Sequence, residues 1–201
     1  MLYVMRVFGI VKRVLNVPII AYHHLFNSAI FMLNQVRIGK GWRIVGRIFI
    51  LNEGEITIGD HFKANSSKFA NPIGGDGILR LVVRENGHLI LGNNVGISNS
   101  TIVCWREIEI GNHVSIGGGC KIWDTDFHST DPIDRQHKDN ANVKTRSVRL
   151  CDYSFIGGGS IILKGVRIGQ NSVVAAGSVV TKSIPDNEIW GGNPAKFIGK
   201  L

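Results

Sequence analysis

The stretch that decides the fold is LCDYSFIGGGSIILKGVRIGQNSVVAAGSVV, residues 150–180. Read in steps of six, it sets Leu150, Ile156, Ile162, Ile168, Val174 and Val180 at equivalent positions. Four residues after each come Ser154, Ser160, Val166, Ser172, Ser178 and Ile184, which are mostly small. A period of six is not the 3.6 of a helix, which would scatter these aliphatics around its circumference. Nor is it the sustained alternation of a long strand. It suits a coil with three flat sides, in which each hexapeptide forms a short strand and then turns a corner. Three hexapeptides close one turn, and successive turns stack as parallel strands about 4.8 Å apart. The aliphatic residue fills the interior, the small one fits near the corner, and glycine or asparagine relieves strain at the bend. Stacked turns bury one core that no single repeat buries alone.

Upstream, the same beat runs through Ile110, Ile116 and Ile122, with Gly111, Gly117 and the small Cys120. Leu91, Ile97 and Val103 continue it with a one-residue slip before Ile110, and fainter starts lie at Ile38, Ile44, Ile50 and Ile56. The beat breaks heavily between Ile122 and Val148, where WDTDFHSTDPIDRQHKDNANVKTRS is polar and irregular. A long loop interrupting a regular solenoid is more often functional than accidental. FANPIGGDGILR, residues 69–80, is a smaller irregularity, and Pro185 and Pro194 end the coil.

At 201 residues the chain suits one sizeable core, and its 25 glycines, set among aliphatics, fit a turn-rich β architecture. The net charge of +8 is uneven. Arg6, Lys12, Arg13, Arg37, Lys40, Arg43 and Arg47 all precede the first acidic residue, Glu53. Three classes of partner answer that excess: nucleic acid, anionic lipid or an anionic substrate. Nucleic acid is disfavoured, because no basic cluster is interleaved with aromatics. The opening MLYVMRVFGIVKRVL has helical apolar spacing and reads as an amphipathic helix, docked on the protein's own body or on a membrane surface. Val14 to Val36 lacks Asp, Glu, Lys and Arg, yet Pro18, His23, His24 and several Asn and Ser residues make insertion costly. Three cysteines without C-x-x-C spacing suit a reducing compartment and form neither a disulfide framework nor a zinc knuckle.

From about Leu89 to Ile198 the chain resembles the hexapeptide-repeat acetyltransferases that act on sugars, including the galactoside and maltose acetyltransferases. IWDTDFHSTDPIDR, IGGGSIILKGVRIGQNSVVAAGSVVTKSIP and the closing GGNPAKFIGK carry the resemblance. It implies acetyl-CoA as co-substrate, a homotrimer with active sites between subunits, and His128 of DTDFH as the catalytic base. A sugar hydroxyl is a poor nucleophile at neutral pH, and histidine is the side chain best poised to take its proton during attack on a thioester. Matching CoA positions are Gly158, Ala176, Thr181, Lys182 and Lys196. Asn99 and Asp126 are substrate-binding candidates; Asp126 and Asp131 are candidates to orient the imidazole. Arg135 either follows the family pattern or pins the loop. In the galactoside enzymes an asparagine two places before Asn99 contacts the acceptor; here it is Ile97.

The fold class is all-β: a left-handed parallel β-helix of hexapeptide repeats with a short α-helical N-terminal segment and a long excursion loop. Residues 1–35 form the helical segment, 36–198 the β-helix with loop 124–147, and 199–201 a tail. The expected activity is O-acetylation of a sugar in bacterial surface polysaccharide synthesis. The acceptor is a free, lipid-linked or nucleotide-linked glycan, with no metal, in the cytoplasm or peripherally at the inner membrane face through residues 1–35. The alternatives are N-acetylation of an amino sugar, a γ-class carbonic anhydrase and a non-catalytic scaffold.

Overall fold

A computed structural model describes residues 2–137 and 142–201, with side chains described for residues 18–136 and 142–201. After helix α1, Leu2–Leu33, the chain runs through short strands that fall into three parallel sheets, each strand pairing with the third one after it. The first sheet stacks Arg37–Ile38, Glu55–Ile58, His88–Leu91, Glu107–Ile110, Val148–Leu150 and Arg167–Ile168. The second stacks Arg43–Gly46, Lys63–Ser66, Gly96–Ser98, Ser115–Ile116, Phe155–Ile156 and Val173–Val174. The third stacks Phe49–Asn52, Arg80–Val83, Thr101–Cys104, Lys121–Trp123, Ile161–Ile162 and Val179–Val180. The protein is a three-sided parallel coil.

The hexapeptide rule assigns the interior. Leu150, Ile156, Ile162, Ile168, Val174 and Val180 are all buried, as are Ser154, Ser160, Ser172 and Ser178 two residues before the next aliphatic. Burying each such aliphatic contributes roughly 1.5–3 kcal/mol. One position departs from the rule: Ile102, not Val103, points inward. The corner after Ile97 is one residue short of a hexapeptide, and the corner around Trp105 and Arg106 is longer than one, which lifts Trp105 to the outside.

The corner between the first and second sheets is built on left-handed backbone. His61, Asn94, His113, Tyr153, Asn171 and Asn187 stand there with φ near +60°. Just before them, a carboxylate or amide oxygen accepts the backbone N–H one turn up: Asp60 from Lys40, Asn93 from Asp60, Asn112 from Asn93 and Asp152 from Asn112, each at 2.8–2.9 Å. Gly111 is required beside this ladder, since a Cβ would lie 2.3 Å from Asp152 Oδ1. The outer face of the first sheet carries ion pairs such as Arg149–Glu109 at 3.2 Å.

Helix α1 covers the N-terminal end of the coil. Asn27, fully buried, donates to Gly46 O and accepts from Ile48 N, both at 3.0 Å. Phe31 meets Trp42 edge-on at 5.3 Å and His24 stacks on the same indole at 4.2 Å. Among the described residues no helix is long and apolar enough to cross a membrane. At the other end the coil runs past Pro185: Ile184 bridges to Ile168, and Glu188–Gly192 pairs in parallel with Val173–Val174. Ala195–Lys200 then returns antiparallel along Glu188–Gly192. Gly199 and Lys200, expected in a tail, are thus paired in a strand.

Candidate active site

The long loop leaves the coil after Lys121–Trp123 and re-enters at Val148–Leu150, on the edge between the third and first sheets. Its exit is clamped by Asp124, whose buried carboxylate accepts N–H groups of Trp105 (2.8 Å), Arg106 (2.7 Å) and Glu107 (2.8 Å). Arg146 N donates to Asp124 O at 2.8 Å, and Thr125 bridges Thr145, so the loop closes on itself at its base. Cys104 packs beside this carboxylate; burial, then the charge and hydrogen bond of Asp124, push its thiol up to about 12. Such a thiol stays protonated at neutral pH and is no nucleophile.

Above this base, Phe127 takes φ +61°, a conformation seldom adopted by a bulky residue. It meets Trp105 edge-on at 6.2 Å and Trp123 at 5.8 Å. His128 follows, exposed, its N–H donating to Asp126 O at 2.7 Å. The Asp126 carboxylate is paired with Lys164 Nζ at 2.7 Å. Asp131 Oδ1 accepts from Ile133 N at 2.7 Å at the start of helix α2, Pro132–His137. Arg135 donates to the carbonyls of Ser129 (3.0 Å) and Thr130 (2.8 Å), so it pins the loop.

The edge is chemically graded. On the N-terminal side of His128 a groove of about 560 Å³ is lined by Glu53, Arg84, Glu85, Trp105 and Phe127. Arg84 Nη1 spans both Glu53 oxygens at 3.1 Å. On the C-terminal side the corners that follow Ile161–Ile162 and Val179–Val180 carry Lys164, then Thr181 and Lys182, the last two exposed. The imidazole stands between an acidic, aromatic stretch and a basic one.

The other expected residues sit elsewhere. Asn99, Gly158 and Ala176 stack along the edge between the second and third sheets, where Gly119 N donates to Asn99 O at 3.2 Å and Gly177 N to Gly158 O at 2.9 Å. Asn99 is 4% exposed, and its amide ties down the 67–79 segment through Ser67 N, Ser67 O and Asn71 O. That segment crosses the edge so closely that a Cβ on Gly118 would lie 2.7 Å from Gly74. Lys196 is exposed on the returning strand. A single chain therefore gathers His128, Asp126, Thr181 and Lys182 on one edge and Asn99, Gly158 and Ala176 on another. Among the described residues no three His, Cys, Asp or Glu side chains cluster as metal ligands.

Sequence reasoning missed Asp124, Trp105, Phe127, Glu85 and Lys164. Asp124 and Phe127 lie in the DTDFH motif itself, where burial and φ were invisible; Trp105, Glu85 and Lys164 come from other turns.

Residues 152–182 match the family model described as the hexapeptide repeat of succinyl-transferase. That match covers one stretch of the coil, from the turn after Val148–Leu150 to the corner after Val179–Val180. The galactoside O-acetyltransferase of Lactococcus lactis is 44% identical to it over 103 residues, covering 51% of this chain and 48% of the relative. The chain thus spans about half the length of that relative. A hexapeptide-repeat acetyltransferase of Vibrio cholerae, solved with acetyl-coenzyme A, is 31% identical with a TM-score of 0.51, covering 61% of this chain and 60% of its own. The N-acyltransferase AntD of Bacillus cereus, solved with dTDP-4-amino-4,6-dideoxyglucose and coenzyme A, is similar in fold. Its TM-score is 0.67 at 24% identity, over 86% of this chain and 88% of its own.

Proposed function

We propose that the protein is an acetyl-CoA-dependent O-acetyltransferase acting on a sugar, with His128 as general base. The observation that carries this reading is the exposed imidazole between an acidic, aromatic groove and a basic corner stack. The imidazole takes the proton of an acceptor hydroxyl as its oxygen attacks the thioester carbonyl; the new C–O bond forms, the C–S bond breaks, and the thiolate leaves. No covalent enzyme intermediate is needed, which agrees with the inert Cys104. Thr181, Lys182 and Lys196 are assigned to the nucleotide end of acetyl-CoA, where ammonium groups suit phosphates. Gly158 and Ala176 let the pantetheine arm approach backbone amides.

Because these residues lie on two edges of one chain, the reading includes a homotrimer of left-handed coils in which edges of neighbouring copies face each other. Asp126 stays assigned to the acceptor side of that composite site, and Asn99, its amide used on Ser67 and Asn71, acts there only by holding the 67–79 segment. The acceptor is a sugar unit, free or linked to lipid or nucleotide, of a surface polysaccharide precursor. The likeness to an N-acyltransferase solved with an amino sugar keeps N-acetylation as the second reading.

The deciding experiment mixes the protein with acetyl-CoA and panels of nucleotide-linked and lipid-linked sugars and follows release of free CoA thiol. Absence of acetyl-CoA binding by calorimetry would refute the reading, and a stoichiometric zinc requirement would favour the carbonic anhydrase alternative. Lys182→Ala is expected to weaken acetyl-CoA binding about 2–5-fold, as for loss of one exposed charge contact. A rise confined to the acceptor KM would displace the cofactor from this edge.

A cytoplasmic protein peripheral to the inner membrane is also part of the proposal. Helix α1 docks through His23, Asn27 and Phe31, while Tyr22 (52% exposed), Leu25 (70%), Met32 (74%) and Leu33 (72%) line the opposite side. Seven basic residues precede Glu53, the charge that attracts anionic headgroups. The wild type should co-sediment with phosphatidylglycerol-containing vesicles and not with phosphatidylcholine alone. The double variant Leu25→Glu, Met32→Glu should lose that binding with turnover on a soluble acceptor unchanged. Equal sedimentation of both proteins would rule the contact out.

A further inference from the structure

We infer that the groove bounded by Trp105, Phe127, Glu85 and His128 is the acceptor subsite, built to take a neutral or amino-bearing sugar ring and to reject a carboxylated one. The inference rests on the transferase reading for the direction of the chemistry, and on the groove itself for the choice of ligand.

Three independent features make this a built surface. Trp105 and Phe127 stand edge-to-face, their planes at 89° with centroids 6.2 Å apart, forming a right-angled aromatic corner beside the imidazole. Neither ring is held there by the repeat. Trp105 is lifted out by a corner longer than a hexapeptide, and its backbone is fixed by the buried Asp124 carboxylate at 2.8 Å. Phe127 stands at φ +61°, and a bulky side chain in that region carries strain that persists where the surroundings impose it, often at functional sites. The aromatic corner is thus fixed by a buried hydrogen bond on one side and a strained backbone on the other.

The polar lining sets the class of ligand. Glu53 is bound through both oxygens by Arg84, which leaves that pair near neutral. Among the described residues Glu85 makes no ion pair, so the groove carries one uncompensated negative charge. Pockets of this kind bind through apolar walls, with a few polar groups fixing orientation. A sugar ring offers C–H faces to aromatic walls and hydroxyl donors to a carboxylate, which only accepts when ionised. An ammonium on the ring gains from Glu85; a uronate or sialate carboxylate is repelled by it.

The test measures binding without requiring turnover, so that it fails or succeeds separately from the transferase reading. Saturation-transfer NMR is run on the full chain with methyl glucoside, methyl glucosaminide and methyl glucuronide. The glucoside and glucosaminide should bind, with the glucuronide at least about fivefold weaker. Trp105→Ala should weaken the glucoside at least about tenfold while acetyl-CoA binding by calorimetry is unchanged. Glu85→Gln should narrow the gap between glucuronide and glucosaminide. The inference is overturned if no glycoside binds, if the glucuronide binds as well as the glucoside, or if Trp105→Ala binds like wild type. Glycoside binding without thiol release from acetyl-CoA would sink the transferase and keep the subsite.

Discussion

Replacing His128 with Ala is expected to lower turnover by about 10²–10⁴-fold, the usual worth of the general base proposed for it, and to leave acetyl-CoA affinity within about twofold. The imidazole is exposed, so its loss should leave the fold in place. His128 N donates to Asp126 O through the backbone, a bond that alanine retains. The defect therefore appears in kcat, since a base acts on the acceptor proton in the transition state and not on the bound cofactor. Single-turnover release of CoA thiol, set beside calorimetric titration of acetyl-CoA, separates the two. Near-normal turnover would remove His128 from the chemistry; a matching fall in acetyl-CoA affinity would recast it as a binding residue.

Asp124→Ala carries the second large effect, and on stability first. The Asp124 side chain is fully buried and satisfies three consecutive backbone N–H groups, those of Trp105, Arg106 and Glu107. Alanine strands these donors, and each unsatisfied buried donor costs about 1–3 kcal/mol. Water entering the vacated space recovers part of this, so a net loss of about 3 kcal/mol is expected in urea unfolding. Asp124→Asn keeps one accepting oxygen and turns an amide NH₂ toward the same donors, so it recovers only part of the loss. The same clamp fixes Trp105 and the loop exit that carries Phe127 and His128; turnover should fall with either substitution even where the protein remains folded. A loss under about 1 kcal/mol for Asp124→Ala would mean the corner is held by strand pairing alone.

Much of the coil is legible in the chain because its period is local. Each hexapeptide decides by itself which residue points inward, so Leu150, Ile156 and Ile162 could be read as core without knowing what stacks on them. The error at Val103 marks the limit: once a corner changes length, the phase of every later side chain shifts, and only the paired strand Thr101–Cys104 shows Ile102 inside. His128 was legible as the histidine at the heaviest break in the repeat. Its surroundings were not, since Glu85, Trp105 and Lys164 come from three different turns.

The sequence by itself determined the three-sided parallel coil, the interior set outside the Thr101–Cys104 turn and the place where the repeat opens, because these follow from spacing within a few residues. Only the tertiary structure decided that Asp126 pairs with Lys164, that Asn99 is spent on the 67–79 segment, and that the expected cofactor residues divide between two edges. Those outcomes depend on which turn lies above which. Ile110 pairs with Leu150 across the whole inserted loop, whereas Leu150 pairs with Ile168 after a single plain turn. Proximity along an edge is therefore set by the stacking of turns, a long-range property to which hexapeptide spacing is blind.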